Sequence, residues 1–249
     1  GAALLLAAGP TAAADAAAAE LRINGADLAQ TGSSMYGVYV RLDAFDDDFA
    51  ERHFRDDPNG NLYTCYRLDS GAAEAELRYE GPDPNAYRNR YFKANHVAQD
   101  DWSDLIHMVD VLNNAPEATY LQEVGEVINL RQWLRYIAVD SLLLNYETGL
   151  NMGIGDDYYL YCGVEDHRFV LVPHDLDTIL DQGNAHASID LSVLSIVEGT
   201  PGRNGVQGLK RLFDHPEVVA LYHSELVDLI DTVFSPERFD PLVDHVLGG

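Results

Sequence analysis

Apolar residues between positions 130 and 146 recur on almost every side of a helical projection. Leu134, Ile137, Ala138, Ser141, Leu142 and Asn145 line one stripe, and the other apolar residues nearly surround it. A helix that is apolar on most sides is a buried one, and this one would carry Asn145 and Glu147 into whatever follows. Upstream, Trp102, Leu105, Ile106, Val109 and Leu112 share one face and predict an earlier helix. Downstream, Pro216 sits near the first turn of a helix running to Phe234. Ser235-Pro236-Glu237 then opens another, with Ser as N-cap and Pro at the first helical position.

Strand-like patterning occupies other parts of the chain. Strands are predicted over 19–23, closed by a turn at Asn24-Gly25, and over 36–42 and 62–67. Residues 46–54 read as a short acidic helix with Phe49 and Phe54 on its buried side, and 56–61 as a turn. Residues 157–161 and 169–173 form a second strand pair. Residues 178–208 are polar and irregular, punctuated by Gly202, Gly205 and Gly208. The pattern predicts an α+β protein with a small, mainly antiparallel sheet over 1–100. A mainly helical part over 101–249 would contain the second strand pair.

Charge narrows the partners. The 249 residues carry a formal net charge of −25, with an isoelectric point near 4.4. That argues against a nucleic-acid backbone, whose phosphates need clustered Lys and Arg. The only lysines are Lys93 and Lys210, so any lysine-dependent chemistry has two candidates. No apolar run of about 18 residues occurs, and no membrane span is expected. Cys65 and Cys162 lack metal-ligand spacing; pairing in an oxidising compartment and two buried thiols both stay open, with unpaired thiols the preferred reading. The first twenty residues mimic a signal peptide without its basic start; they read better as part of a domain already under way, so the chain is expected to be a piece of a longer protein.

Carboxylates gather around the second strand pair. Asp157 opens one strand, the other ends on His174-Asp175-Leu176-Asp177, and Glu147 and Asn151 lie in the preceding loop. Asp175 and Asp177, two apart, would share a face of a regular strand. Two or three such oxygens suffice for Mg²⁺ or Mn²⁺, which keep several waters. Such an ion bridging phosphate oxygens, with a carboxylate to position a hydroxyl, is what phosphoryl transfer requires. The bland alternatives are caps, turn residues, solvated charges or a structural Ca²⁺ site; Asp156 reads as a turn residue. His174 should point away from Asp175, as neighbours on a strand do, and pack against the helical layer. HExxH, GxSxG, Walker A and GxGxxG motifs are missing, which speaks against a zinc hydrolase and the common nucleotide folds.

These residues resemble the CotH-type spore-coat protein kinase family. Asn145-Tyr146-Glu147, Tyr158-Tyr159-Leu160-Tyr161 and Pro173-His174-Asp175-Leu176-Asp177 are similar to its N-x-D, YYLY and P-W-D-x-D steps. Tyr36-Gly37-Val38-Tyr39-Val40, Asp46-Asp47-Asp48-Phe49 and Gly60-Asn61-Leu62-Tyr63 are similar to its upstream steps. The resemblance implies an atypical protein-kinase-like fold: a partial sheet lobe over 1–100, then a helical lobe over 101–249 with a metal-binding β-hairpin. It also implies ATP-dependent phosphorylation of a protein Ser or Thr. Glu147 would be the catalytic carboxylate; Asp157, Asp175 and Asp177 would hold Mg²⁺ or Mn²⁺; Lys93 and Asn151 would serve ATP. Secretion or a cell-envelope location is suggested on the same ground.

The chain departs from the pattern in several places. Glu147 stands where the family has Asp, and a carboxylate displaced by about 1 Å can cost about 100-fold in rate. Asp157 replaces an amide, His174 replaces Trp, and Asp43 stands where Glu is common. A catalytically weakened binding or structural module, stabilised by a metal, is therefore the competing expectation.

Overall fold

A computed structural model describes residues 16–19, 22–23, 26–27, 39–67, 74–145, 150, 153, 155–176, 179, 190–200 and 203–247. The predicted strand over 19–23 resolves into two short strands with different partners. β1 (Ala16–Ala19) pairs antiparallel with β4 (Tyr39–Leu42), and β2 (Arg22–Ile23) pairs with β3 (Ala26–Asp27). The expected turn at Asn24-Gly25 lies outside the described residues.

The main sheet is four-stranded and antiparallel, in the order β6-β5-β7-β8. β5 (Asn61–Cys65) and β7 (Tyr158–Cys162) are its centre; β6 (Tyr91–Lys93) and β8 (Val170–Pro173) are its edges. All five residues of β7 are buried, which explains why Tyr158-Tyr159-Leu160-Tyr161 lacks a polar side. Both faces of a central strand meet apolar layers, so alternation is not required. Tyr158, Leu160 and Cys162 face the larger core. Tyr159 and Tyr161 face a smaller one with Phe49, Leu62 and Val172, covered by α1 (Asp47–His53). Asp46 caps α1 by accepting from the Phe49 N–H. Two strands of this sheet precede residue 100 and two follow it, so the sheet crosses the boundary expected there.

Helices α2 (Ser103–Asn114), α3 (Tyr120–Val127), α4 (Leu130–Leu142) and α7 (Pro216–Thr232) pack around the larger core. The short α5 (Ser195–Glu198) and α6 (Lys210–Phe213) and the terminal α8 (Pro236–Leu247) complete the set among the described residues. Within the stretch expected to be irregular, Ile196 and Val206 are fully buried. Neither α3 nor β6 was legible in the pattern: α3 has eight residues, contains Gly125 and lacks a side-chain cap, and β6 has only three residues.

α4 is buried on most sides, as its pattern predicts. Trp133, Leu134, Tyr136, Ile137, Ala138 and Val139 are all in the core. It ends at Leu142, not at residue 146, because Leu144 takes a left-handed φ of 51° and Asn145 folds back. The Asn145 N–H donates to the Asp140 carbonyl at 3.2 Å, and its Nδ2 donates to Asp140 Oδ1 at 2.9 Å. At its other end α4 grips the sheet. Gln132 Nε2 donates to the Leu171 carbonyl (2.8 Å) and Gln132 Oε1 accepts from the Leu171 N–H (2.9 Å). One amide side chain thus copies a strand partner and closes the free edge of β8, where unpaired backbone groups would otherwise be exposed. The Trp133 indole N–H donates to the Phe169 carbonyl at 2.8 Å and reinforces the clamp.

Candidate metal centre

The β7–β8 hairpin fixes the site through its register. Tyr158 lies opposite Pro173, so the next residues outward, Asp157 and His174, also face one another. Side chains directly opposite on an antiparallel pair lie on the same face. Asp157 and His174 therefore meet on the face of Tyr159, with Asp157 Oδ1 and His174 Nδ1 3.8 Å apart. The His174 ring is held edge-on by Tyr159 (5.1 Å between centroids) and Phe45 (5.7 Å).

Asp175 joins them because the strand stops. Its φ is 46°, and that of Asp157 is 49°, so both acids sit in the left-handed region, which Asp tolerates better than most residues. The turn at Asp175 breaks the alternation that would have sent it to the opposite face from His174. One ligand atom each from Asp157, His174 and Asp175 lie within 4.8 Å of one another. That spread fits donors sharing one dication at about 2.0–2.6 Å each. Among the described residues, His174 Nδ1 is buried without a hydrogen-bond partner, a state buried polar atoms rarely keep. The donor set therefore fits a bound cation.

Of the residues singled out in the sequence, Asp157 and Asp175 come together here. Glu147, Asn151 and Asp177 lie outside the described residues. His174, expected to pack against helices, is the donor that sequence reasoning missed. Its ring does pack beside the α1 layer, but its Nδ1 turns to Asp157. The pairing of residues 157 and 174 would have followed from the hairpin register, which the sequence does not reveal.

Asp156 is tied elsewhere. It accepts from the Arg67 backbone N–H at 2.5 Å and lies 3.4 Å from Arg67 Nε. Burial raises its carboxyl pKa above the ordinary value, against the pull of those partners. It anchors the start of β7 to the end of β5, a tie between strands where the sequence suggested a turn residue.

Lys93 is not brought to the carboxylates. It pairs with Tyr63 across β5–β6, on the opposite edge of the sheet from β8 and on the face of the larger core. Its Nζ donates to Asn61 Oδ1 (3.0 Å), Tyr63 Oη (3.2 Å) and the Asp101 carbonyl (2.8 Å). Burial pulls its pKa below the ordinary lysine value, although Asp104 and Asp101 push the other way. Asn61 and Asp104 from this cluster also line a cleft of about 720 Å³, together with His96, His107, Glu126 and His167. The closed end of the hairpin, at Cys162 and Gly163, borders that cleft, whereas the carboxylates sit at the open end.

The sequence model of the CotH kinase protein family matches residues 6–248. The chain belongs to this family. Comparison with curated proteins finds no match. Membership covers the elements that build the site: the CotH match spans the β7–β8 hairpin, α4 and the loop between them. Among the described residues, no helix is long and apolar enough to cross a membrane. Cys65 and Cys162 are both buried free thiols, at opposite ends of the β5–β7 ladder.

Proposed function

We propose that this CotH-family chain is an ATP-dependent phosphotransferase acting on protein Ser or Thr hydroxyls, with its dication, Mg²⁺ or Mn²⁺, held at the open end of the β7–β8 hairpin. The observation that carries this reading is the convergence of Asp157 and Asp175, from two different strand ends, on one point within 4.8 Å. A dication there supplies charge neutralisation at phosphate oxygens. Positioning and electrostatics account for most of phosphoryl transfer, and the chain's own contribution is to hold those groups rigidly. Asp157 is fixed by strand register and Asp175 by the left-handed turn that ends β8, and Asp177 and Asn151 assist from the adjoining segments. Glu147 orients the acceptor hydroxyl and takes its proton. The Asn145–Asp140 hydrogen bond, two residues before Glu147, sets where that loop leaves α4. In this reading β7–β8 is the metal hairpin of a kinase-like arrangement, and Lys93 supports the sheet beside the cleft instead of reaching the metal.

The test pairs ligand-dependent melting with phosphotransfer. ATP plus Mg²⁺ or Mn²⁺ should raise the melting temperature, because a ligand that binds only the native state stabilises it. The Asp175→Ala variant should lose both that rise and transfer from γ-labelled ATP. If Asp175→Ala keeps both, the assignment fails. The second reading, a binding module with weakened turnover, is favoured by Glu147 standing where the family has Asp. It predicts an ATP-dependent rise without transfer, and a gain of transfer in Glu147→Asp.

A further inference from the structure

We infer that His174 is a direct ligand of the cation, and that the site therefore prefers a first-row divalent transition ion, of the Mn²⁺, Co²⁺ or Zn²⁺ class, over Mg²⁺ or Ca²⁺. The inference rests on the metal-binding reading of the hairpin and deepens it by naming the class of ion. Three observations point the same way. The 3.8 Å between His174 Nδ1 and Asp157 Oδ1 is too long for a hydrogen bond, which ends near 3.2 Å for a good N–H···O pair. It matches two donors on one ion: bonds of about 2.0–2.2 Å, spread at about 90–130°, put ligand atoms about 3–4 Å apart. Nδ1 is also buried and without a hydrogen-bond partner among the described residues, so this nitrogen is not committed to any hydrogen bond within them. Finally, the ring is already oriented, edge-on to both Phe45 and Tyr159, so little side-chain freedom remains to be lost on binding.

Donor chemistry then decides the ion. Mg²⁺ and Ca²⁺ are hard cations that take oxygen ligands. Imidazole nitrogen suits first-row transition ions, and two carboxylates with one imidazole form a mixed set on which those ions outcompete Mg²⁺.

The experiment uses the full chain and Mn²⁺ or Mg²⁺ alone. Calorimetric titration should give at least about tenfold tighter binding of Mn²⁺ than of Mg²⁺. Pulsed electron paramagnetic resonance of the bound Mn²⁺ should show modulation from a directly coordinated ¹⁴N nucleus. The His174→Phe variant keeps a ring against Phe45 and Tyr159 but has no nitrogen. It should lose the ¹⁴N signal and bind Mn²⁺ about tenfold or more weakly, with Mg²⁺ affinity changed by less than about threefold. Mn²⁺ binding that Asp175→Ala abolishes, but that shows no ¹⁴N modulation in the wild type, overturns the imidazole ligand and leaves the phosphotransferase reading intact. Mn²⁺ binding indifferent to both Asp157→Ala and Asp175→Ala overturns that reading as well. The spectrum of the wild-type protein decides the question even if His174→Phe fails to fold.

Discussion

Asp140 is the buried acid with the most legible consequence. Desolvation pushes its carboxyl up to about 7, against a hydrogen bond from Asn145 that pulls the other way. In the unfolded chain the same group titrates near 3.8. The native state therefore holds a proton that the unfolded state has already released. The contribution of Asp140 to stability is complete below the unfolded value and is lost as pH rises through about 7. Its part of the slope is at most about 1.4 kcal/mol per pH unit. Asp140→Asn keeps an acceptor for Asn145 Nδ2 and removes the titration. Urea unfolding at pH 5 and pH 8 should show wild type losing clearly more stability between the two than Asp140→Asn. Equal losses would place the slope in other acids, of which the buried Asp156, also raised by desolvation, is the first candidate.

At the scale of the element, the clamp from α4 onto β8 should carry much of the hairpin's stability. Gln132→Ala removes both halves of the amide pairing and leaves the N–H and C=O of Leu171, itself fully buried, without partners. Each orphaned group costs about 1–3 kcal/mol, so a loss of about 2–6 kcal/mol is expected in denaturant unfolding, with an unchanged m value. A loss below about 0.5 kcal/mol would mean that β8 finds another partner. The clamp also shows what a sequence can and cannot reveal. The burial of α4 was visible because six of its residues repeat an apolar theme around the helix, and the aromatic run of β7 was visible for a similar reason. Gln132 gave no signal: a polar residue in an apolar helix reads as a surface position until the strand beside it is known. His174 was missed on related grounds. Alternation along a strand holds only while the backbone stays extended, and the left-handed turn at Asp175 is a local event that no periodicity announces. The end of α4 was placed four residues late, since Leu142, Leu143 and Leu144 favour a helix by type, while the left-handed backbone at Leu144 and the return of Asn145 onto Asp140 stop it.

For the whole molecule, the net charge of −25 makes self-repulsion a standing cost of compactness. Raising NaCl from about 20 mM to about 500 mM shortens the screening length from about 20 Å to about 4 Å. With a chelator present to exclude divalent ions, the melting temperature should rise; each 1 kcal/mol gained corresponds to about 2–4 °C at this chain length. A fall would show that ion pairs such as Arg135 with Glu225 and Asp228 (2.8 and 2.7 Å) outweigh the general repulsion. The sheet adds a kinetic consequence. Its central ladder joins residues 61–65 to residues 158–162, so a ribosome releases β5 and β6 long before β7 exists. At about 5–20 residues per second, the nascent chain spends several seconds with Leu62 and Tyr63 lacking the strand that will cover them. The α1 layer can cover only the Leu62 face of that half-built surface, since Tyr63 belongs to the larger core, and slowing translation between residues 93 and 158 should lower the yield of folded protein.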